Sequence, residues 1–214
     1  CHVGKWHLNG KFNSPEQPQP NDHGYDWWLG TQNNAAPSHQ NPNNFVRNGK
    51  AVGKVEGYSA PFIVGEAIDW LKNHRDPAKP FLLAVWSHEP HYPIASADRY
   101  ERQHAGIVDP VERTYRANVT QLDDAFGTVM KAIDTLGLAE NTLVIFTSDN
   151  GPWYEGSSEG LRGRKGMPFE GGQRVPMIAS WPGRIPAGRQ VDNPTMNIDL
   201  FPTVLSLAGV GLPS

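Results

Sequence analysis

The feature that most constrains this chain is an apolar run at residues 142–147 that ends abruptly in polar and turn-forming residues. The run, TLVIFT, is rich in β-branched side chains and is typical of a buried strand. Asp149 and Asn150 follow it closely, before a glycine and a proline. Open α/β sheets bind ligands at the carboxyl ends of their strands, and Asp and Asn oxygens suit Ca²⁺ or Mg²⁺. The pattern predicts a metal site, although an Asx turn is the simpler explanation for these residues taken alone.

A group of cations among glycines follows this turn. Arg162, Arg164 and Lys165 lie between glycines in residues 160–166, and a glycine pair at residues 171–172 closes the segment. Three cations close behind a candidate metal turn suit an oxyanion that has two or three charged oxygens. Together, the two segments predict a site that binds an anion.

Two more segments combine histidine with other polar groups. Lys5 and His7 would face the same way in an extended chain, where a permanent cation and an imidazole could bind an anion and move a proton. A surface lysine and a structural histidine are the alternative.

The apolar residues 81–86 predict a second buried strand, followed at residues 87–93 by SHEPHYP. Its internal proline forbids the helix of a zinc HExxH motif, so either histidine is a candidate general acid or a structural residue.

The predicted elements alternate between helix and strand. One helix begins at Ser59, a second runs from Asp109, as N-cap, to Gly137, and a third lies at residues 197–207. An apolar stripe that includes Val111 and Val119 marks the second helix. With a third strand predicted after residue 176, this order favours an α/β fold with a mostly parallel sheet and helices on both faces.

Composition excludes several classes of protein. The net charge of −3 argues against nucleic acid as the main partner. No apolar run approaches the length of a membrane span, and the single cysteine, Cys1, rules out an internal disulfide. A glycosylation sequon occurs at Asn118, within the predicted long helix. The 214 residues fit one large domain or a substantial part of one, and no linker or repeat interrupts them.

Five segments resemble the formylglycine-dependent sulfatases, in the order in which that family has them. They are GKWHL at 4–8, SHEPHYP at 87–93, TSDNG at 147–151, the GRKG and FEGG segments within 163–172, and DLFPT at 199–203. The resemblance spans essentially the whole chain and is greatest to the branch that contains arylsulfatases and N-acetylgalactosamine-6-sulfatase. It implies an alkaline-phosphatase-like α/β fold, with residues 1–214 as a sulfatase catalytic domain that is incomplete at both ends.

The resemblance also implies a catalytic role for four residues. Lys5 would contact both the sulfate and the formylglycine, and His7 would hydrogen-bond and orient the formylglycine. His91, rather than the other histidine of its segment, would contact the sulfate ester near its leaving oxygen. Lys165 would bind the sulfate and stabilise the departing alkoxide. A sulfate ester needs such cations to offset its charge and a proton donor at its leaving group.

The cofactors implied by the resemblance are Ca²⁺, in preference to Mg²⁺, and a formylglycine. Asp149 and Asn150 would be Ca²⁺ ligands. The formylglycine is expected on a cysteine or serine outside these residues, because the family's Asp pair and Cys-x-Pro-Ser-Arg segment do not occur here and the sequence around Cys1 does not match. We therefore expect the 214 residues alone not to hydrolyse sulfate esters.

The implied activity is hydrolysis of sulfuric esters in a sulfated small molecule or glycan. Sulfated carbohydrate is favoured because the polar loops between residues 11 and 44 could line a sugar cleft. A formylglycine-generating enzyme is the implied partner, and the family's habits indicate a periplasmic, secreted or lysosomal location.

Two alternative functions remain open. A phosphodiesterase or phosphonate hydrolase of the same superfamily could share the scaffold, but two-zinc phosphatase relatives usually present Asp-His where this chain has Asp149 and Asn150. A non-catalytic homologue that binds sulfated glycans could retain the same lysines and histidines. The presence of the nucleophilic Cys or Ser would distinguish the enzyme from the binding protein. A structural domain without a ligand would leave the spaced lysines and histidines unexplained.

Overall fold

A computed structural model describes residues 1–153 and 155–212. The chain forms two compact units, residues 1–138 and residues 139–214. The assignment of all 214 residues to one catalytic domain stays a prediction.

The first unit is built on a five-stranded sheet. Its strands are β1 (His2–Lys5), β2 (Trp28–Thr31), β3 (Val46–Arg47), β4 (Lys50–Ala51) and β5 (Ala84–Trp86). They lie in the order β4-β3-β2-β1-β5. Strand β1 pairs in parallel with β2 and β5, whereas the β2–β3 and β3–β4 pairs are antiparallel. The sheet is therefore mixed, and its parallel part is the β2-β1-β5 centre.

A tight hairpin explains the antiparallel edge of this sheet. Asn48 and Gly49 alone connect β3 to β4, and their φ angles are 46° and 82°. Two successive residues with positive φ are typical of a type I′ turn, whose twist matches paired strands. A connection this short permits only antiparallel pairing. The two-residue strands are too short to show a periodic pattern in the sequence.

Three helices accompany this sheet, and the predicted starts of two of them are confirmed. Helix α1 (Ser59–Asp69) continues through a π-helical turn at Trp70–His74, followed by α2 (Asp98–Gln103) and α3 (Pro110–Thr135). The N-cap of α3 is Asp109, whose Oδ1 accepts a hydrogen bond of 2.9 Å from the backbone N–H of Val111. A short 3₁₀ helix, Pro20–His23, precedes β2.

The apolar stripe predicted for α3 is only partly correct. Val111 and Val119 are 50% and 40% exposed. The buried face of the helix instead combines small residues and two amides with a few apolar side chains: Ala117, Asn118, Gln121, Ala125, Val129, Ala132 and Ile133.

The two buried amides of α3 explain this difference, because each satisfies a backbone group of residues 95–97. Asn118 Nδ2 donates to the carbonyl of Ala95 at 2.9 Å, and Gln121 Oε1 accepts from the backbone N–H of Ala97 at 3.0 Å. Buried polar groups are stable when paired in this way. Since Asn118 is fully buried and hydrogen-bonded, the sequon is not accessible for glycosylation in the folded unit.

The second unit contains a two-stranded antiparallel sheet in which Thr147 lies opposite Met177. Its elements are β6 (Val144–Thr147), α4 (Glu170–Gln173), β7 (Met177–Ser180), α5 (Leu200–Leu207) and 3₁₀ turns at Ala139–Asn141 and Asn197–Asp199. The third strand and the late helix are confirmed. Strand β6 is half-buried rather than buried within this unit, because a two-stranded sheet covers little of its own surface. Among the described residues, no helix is long and apolar enough to cross a membrane.

Candidate active site

The carboxyl edge of the parallel strands holds two of the predicted site segments. Lys5 is the last residue of β1, and β5 lies beside it in parallel with Gly4 opposite Trp86. The histidine-containing segment at residues 87–93 begins immediately after β5. Because parallel strands end at the same edge of a sheet, Lys5 and this segment emerge together. Lys5 is half-buried, and its Nζ donates to Asn34 Oδ1 at 3.4 Å.

A buried imidazole, His88, lies beneath this edge. Its Nε2 is 2.7 Å from Thr31 Oγ1, the side chain of the residue opposite Lys5. The Thr31 hydroxyl donates its proton to the carbonyl of Asn33 at 2.7 Å, so His88 must donate its Nε2–H to the hydroxyl. His88 is therefore a neutral donor that fixes the end of β2.

The electrostatics of His88 show which groups surround it. Burial, together with the nearby charges of His39, Lys5 and His91, lowers its pKa to about 3. The charges of Lys5 and His91 both reach this buried ring, and both residues lie after strands that end at the same edge of the sheet. This common position at the sheet edge is the main geometric support for the predicted site.

The backbone fixes the orientation of the His91 ring. The backbone N–H of His91 donates to the carbonyl of His88 at 2.8 Å, and its Nδ1 lies 2.9 Å from the carbonyl of Tyr92. A carbonyl only accepts, so Nδ1 is protonated and Nε2 is the atom that gains or loses a proton. The arrangement suits a general acid that donates from Nε2.

Glu89 is a residue of this segment whose role the sequence did not indicate. Its Oε1 accepts from Ser59 Oγ at 2.5 Å and from the backbone N–H of Ala60 at 2.9 Å, both at the start of α1. Its Oε2 accepts from Ser87 Oγ at 3.2 Å. A carboxylate at a helix N-terminus is stabilised by the unpaired N–H groups and by the helix dipole. Glu89 therefore ties the His91 segment to α1.

Replacing Glu89 with alanine should destabilise the first unit by about 3 kcal/mol, because buried donors at the start of α1 lose their acceptor. Glu89→Gln keeps one acceptor oxygen and should cost about half as much. Urea unfolding followed by tryptophan fluorescence measures both. Glu56→Ala, which removes an exposed pair with Lys54, is the control and should change stability by less than about 1 kcal/mol. Equal stability of Glu89→Ala and the wild-type protein would contradict this role.

His7 does not continue the strand, so the premise that Lys5 and His7 share an extended face is wrong. Its φ of 49° places it in the left-handed region, and its backbone N–H donates to the carbonyl of Gln32 at 2.8 Å. The exposed His7 side chain therefore does not follow the alternation of β1. It lines the wall of an open cleft instead.

The second unit brings the predicted metal turn and the lysine segment together. Asp149 and Asn150 follow β6, as predicted. The backbone N–H of Gly151 donates to the carbonyl of Gly172, and that of Lys165 donates to the carbonyl of Pro152, both at 2.9 Å. A Cβ at Gly151 would lie 2.0 Å from the backbone oxygen of Gly171, so only glycine permits this close approach.

Two cations of this region already contact other side chains. The Arg162 guanidinium lies 3.8 Å from the centroid of the Phe169 ring, so it has a packing role. Arg174, a little further along the chain, pairs with Glu170 at 3.6 Å. Lys165 is half-buried and remains the principal candidate for sulfate binding in this unit.

The donor chemistry of Asp149 and Asn150 fits part of a Ca²⁺ site. Asp149 is exposed, and its carboxylate together with the amide oxygen of Asn150 are hard oxygen donors of the type that Ca²⁺ prefers. Ca²⁺ takes about six to eight oxygen ligands. No group of three or more His, Cys, Asp or Glu residues in the described part of the chain could hold a metal ion. The two residues would therefore supply only part of the ligand set.

Comparison with known proteins assigns nearly the whole chain to one family. The Sulfatase family profile matches residues 1–210. N-acetylgalactosamine-6-sulfatase of Canis lupus familiaris is 34% identical over 233 residues, covering 99% of this chain and 43% of that protein. Arylsulfatase A of Homo sapiens is 40% identical over 154 residues, covering 69% of this chain and 29% of that protein. The chain thus spans less than half the length of these curated relatives.

Solved structures agree with this result. The structure of Ps i-CgsB in complex with k-i-k-neocarrahexaose has a TM-score of 0.90 and 28% identity, covering 99% of this chain and 51% of that one. The PsFucS1 sulfatase from Pseudoalteromonas sp. has a TM-score of 0.80 and 26% identity, covering 99% of this chain and 48% of that one. These likenesses confirm the alkaline-phosphatase-like α/β fold class. The chain belongs to the Sulfatase family.

Proposed function

We propose that the protein containing this chain hydrolyses sulfate esters of sulfated carbohydrates. The observation that best supports this is that Lys5 ends β1 and the His91 segment follows the neighbouring parallel strand β5, so that both lie at the same carboxyl edge of the sheet. A cation beside a proton donor suits an ester whose anionic group must be held and whose leaving oxygen must be protonated. Membership of the Sulfatase family supports the same reaction.

Each predicted catalytic residue has a distinct task in this proposal. Lys5 and Lys165 offset the negative charge of the sulfate. His91 donates a proton from Nε2 to the leaving alcohol, because its Nδ1–H is held by the carbonyl of Tyr92. His7 orients the nucleophilic group from the wall of its cleft.

The proposed cofactors are Ca²⁺ and formylglycine. Asp149 and Asn150 would contribute two oxygen ligands to the metal. The bound metal would supply charge stabilisation at the sulfate, and the formylglycine would supply the nucleophile. A formylglycine-generating enzyme is the corresponding partner, and a periplasmic, secreted or lysosomal protein is the proposed setting.

The substrate class rests on the relatives. One group is named N-acetylgalactosamine-6-sulfatase, and a solved relative is bound to a neocarrahexaose. Both match 99% of this chain, whereas steryl-sulfatase of Rattus norvegicus and arylsulfatase A match 71% and 69% of it, so the fuller coverage favours a sulfated sugar over an aryl or lipid sulfate for this protein.

The proposal is tested by expressing the longest polypeptide that the gene encodes together with a formylglycine-generating enzyme. Release of sulfate from N-acetylgalactosamine 6-sulfate and from phenyl sulfate is measured with added Ca²⁺. Replacing Lys165 or His91 with alanine should lower kcat about 100-fold or more, because each removes a group that stabilises charge in the transition state. Lys54→Ala, an exposed lysine outside these segments, should leave kcat unchanged.

Two results would overturn the proposal. Preferential hydrolysis of bis(4-nitrophenyl) phosphate or a phosphonate ester would assign the protein to the phosphodiesterase alternative. Binding of the sugar sulfate without any turnover, in protein shown by mass spectrometry to contain formylglycine, would assign it to the glycan-binding alternative.

A further inference from the structure

An open cleft of about 660 Å³ lies beside His7 in the first unit. Its volume falls within the range of small-molecule sites. Eight residues line it: His7, Leu8, Asn9, Gly10, Gln17, Pro18, His23 and Gln32. Because His7 is a predicted catalytic residue, the cleft begins where the reacting group of a substrate would lie and extends away from it.

Three side-chain amides in this lining are each held at one end by the backbone. Asn9 Nδ2 donates to the carbonyl of Pro18 at 2.7 Å, and Gln32 Nε2 donates to the carbonyl of Asn9 at 2.9 Å. Gln17 Oε1 accepts from the backbone N–H groups of Gly10 and Lys11 at 2.7 and 2.9 Å. The amides are therefore fixed in position before any ligand arrives.

The opposite ends of Gln17 and Gln32 can contact a ligand. Gln32 Oε1 is an acceptor, and Gln17 Nε2 carries two N–H donors. The Asn9 oxygen is buried without a partner among the described residues, so Asn9 supports the cleft by holding its loop through Nδ2 and does not contact the ligand itself. Because these amides are already ordered, binding would lose little side-chain entropy.

The chemistry of this lining matches a sugar ring. Sugar hydroxyls donate and accept hydrogen bonds, as a mixed set of amide donors and acceptors requires. The lining contains two imidazoles and no carboxylate, and the nearby carboxylate of Glu16 pairs with Lys11. The cleft thus tolerates the negative charge of a sulfated sugar.

We propose that this cleft binds the hydroxyl-bearing sugar ring that carries, or is next to, the sulfate ester, with Gln17 and Gln32 as its hydrogen-bonding groups. The proposal rests on the function proposed above and specifies where its substrate selectivity originates. Gln17 determines selectivity through Nε2, because its Oε1 is already used within the loop.

Gln17→Glu tests the proposal without removing the loop contact. The glutamate keeps an acceptor for Gly10 and Lys11 but lacks the N–H donors. Gln103→Glu, an exposed position on α2 outside the cleft, makes the same change of charge and is the matched control. The probes are galactose 6-sulfate, N-acetylgalactosamine 6-sulfate and phenyl sulfate, titrated into the ¹⁵N-labelled longest polypeptide that the gene encodes.

In the wild-type protein, at least one sugar sulfate should shift the side-chain amide signals of Gln17 and Gln32. Gln17→Glu should weaken that binding about tenfold, the effect of one lost hydrogen bond. It should change phenyl sulfate binding less than about twofold, because this probe has no hydroxyls to contact the amides. Gln103→Glu should change neither.

If Gln17→Glu weakened the binding of sugar sulfates and of phenyl sulfate equally, the proposed sugar site would be contradicted, because the effect would then come from the added charge alone. The absence of amide shifts with both sugar sulfates would overturn it as well. Failure of the cleft and failure of the proposed function are distinguishable. Sulfate release that Gln17→Glu leaves unchanged contradicts only the cleft, whereas selective sugar binding without sulfate release contradicts only the hydrolase.

Discussion

Replacing Gly4 with alanine should prevent the first unit from folding. A Cβ at this position would lie 1.9 Å from the backbone oxygen of Trp86, which belongs to the neighbouring strand β5. The φ of Gly4 is 111°, which adds backbone strain for any residue with a side chain. Neither atom of the clash is at the end of a flexible side chain, so relief requires β1 and β5 to separate.

The expected loss is about 4 kcal/mol or more, because such a clash combines overpacking with a forbidden backbone conformation. That approaches the whole stability of a domain at the lower end of the usual range of about 5–15 kcal/mol. Soluble yield, circular dichroism and urea unfolding measure the effect. Gly4 also precedes Lys5, so separation of the strands would displace Lys5 from the carboxyl edge of the sheet.

Gly65→Ala is the matched control for this substitution. Gly65 lies on the exposed face of α1, where an added Cβ would meet no heavy atom of a neighbouring element within 4 Å. Alanine there should stabilise the helix by up to about 1 kcal/mol. A folded Gly4→Ala variant with wild-type stability would show that the close approach of β1 and β5 is not required.

Acidification should unfold the first unit through its buried histidines. Burial lowers the pKa of His88 to about 3 and that of His2 to about 4, and it also lowers the pKa of His39. Each of these rings has at least one nitrogen that is buried without a partner among the described residues. The fold therefore holds them neutral.

The direction of the effect follows from the difference in bound protons. In the unfolded chain, histidine has its ordinary pKa of about 6.5 and gains a proton as the pH falls below that value. In the folded unit, His2 and His88 stay neutral until about pH 4 and pH 3. Because the unfolded state binds more protons in this interval, stability falls as pH falls, by roughly 1.4 kcal/mol per pH unit for each histidine.

The free energy of unfolding is measured in urea at pH 7.5, 6.5 and 5.5, with the fluorescence of the buried Trp6 and Trp28 as the probe. In His88→Gln the free energy of unfolding should change less steeply with pH, by the contribution of about one bound proton. Glutamine can still contact Thr31 but does not titrate. Lys131→Gln changes the charge at an exposed position on α3 and is the control. Its free energy of unfolding should depend on pH as that of the wild-type protein does. If the free energy of unfolding depended on pH equally steeply in His88→Gln and in the wild-type protein, this explanation would be contradicted.

The sequence by itself determined the local elements and the identity of the candidate residues. Asp109 followed by Pro110 sets the start of α3 because the capping contact joins residues two apart. The apolar run before Asp149 and Asn150 determines β6 and the turn after it, since both depend on contiguous residues. The five family segments likewise lie in short, continuous stretches.

Only the tertiary structure decided which polar groups meet across the chain. Glu89 reaches Ser59 over a separation of 30 residues, and Asn118 reaches His39 over 79. Periodicity shows which side of an element is apolar, but it contains no information about which distant donor an acceptor contacts. The pairing is set by how the sheet and helices close on each other, where a buried polar group must find a partner within about 3 Å. For that reason Glu89 and the fixed amides of the cleft beside His7 became apparent only in the folded molecule.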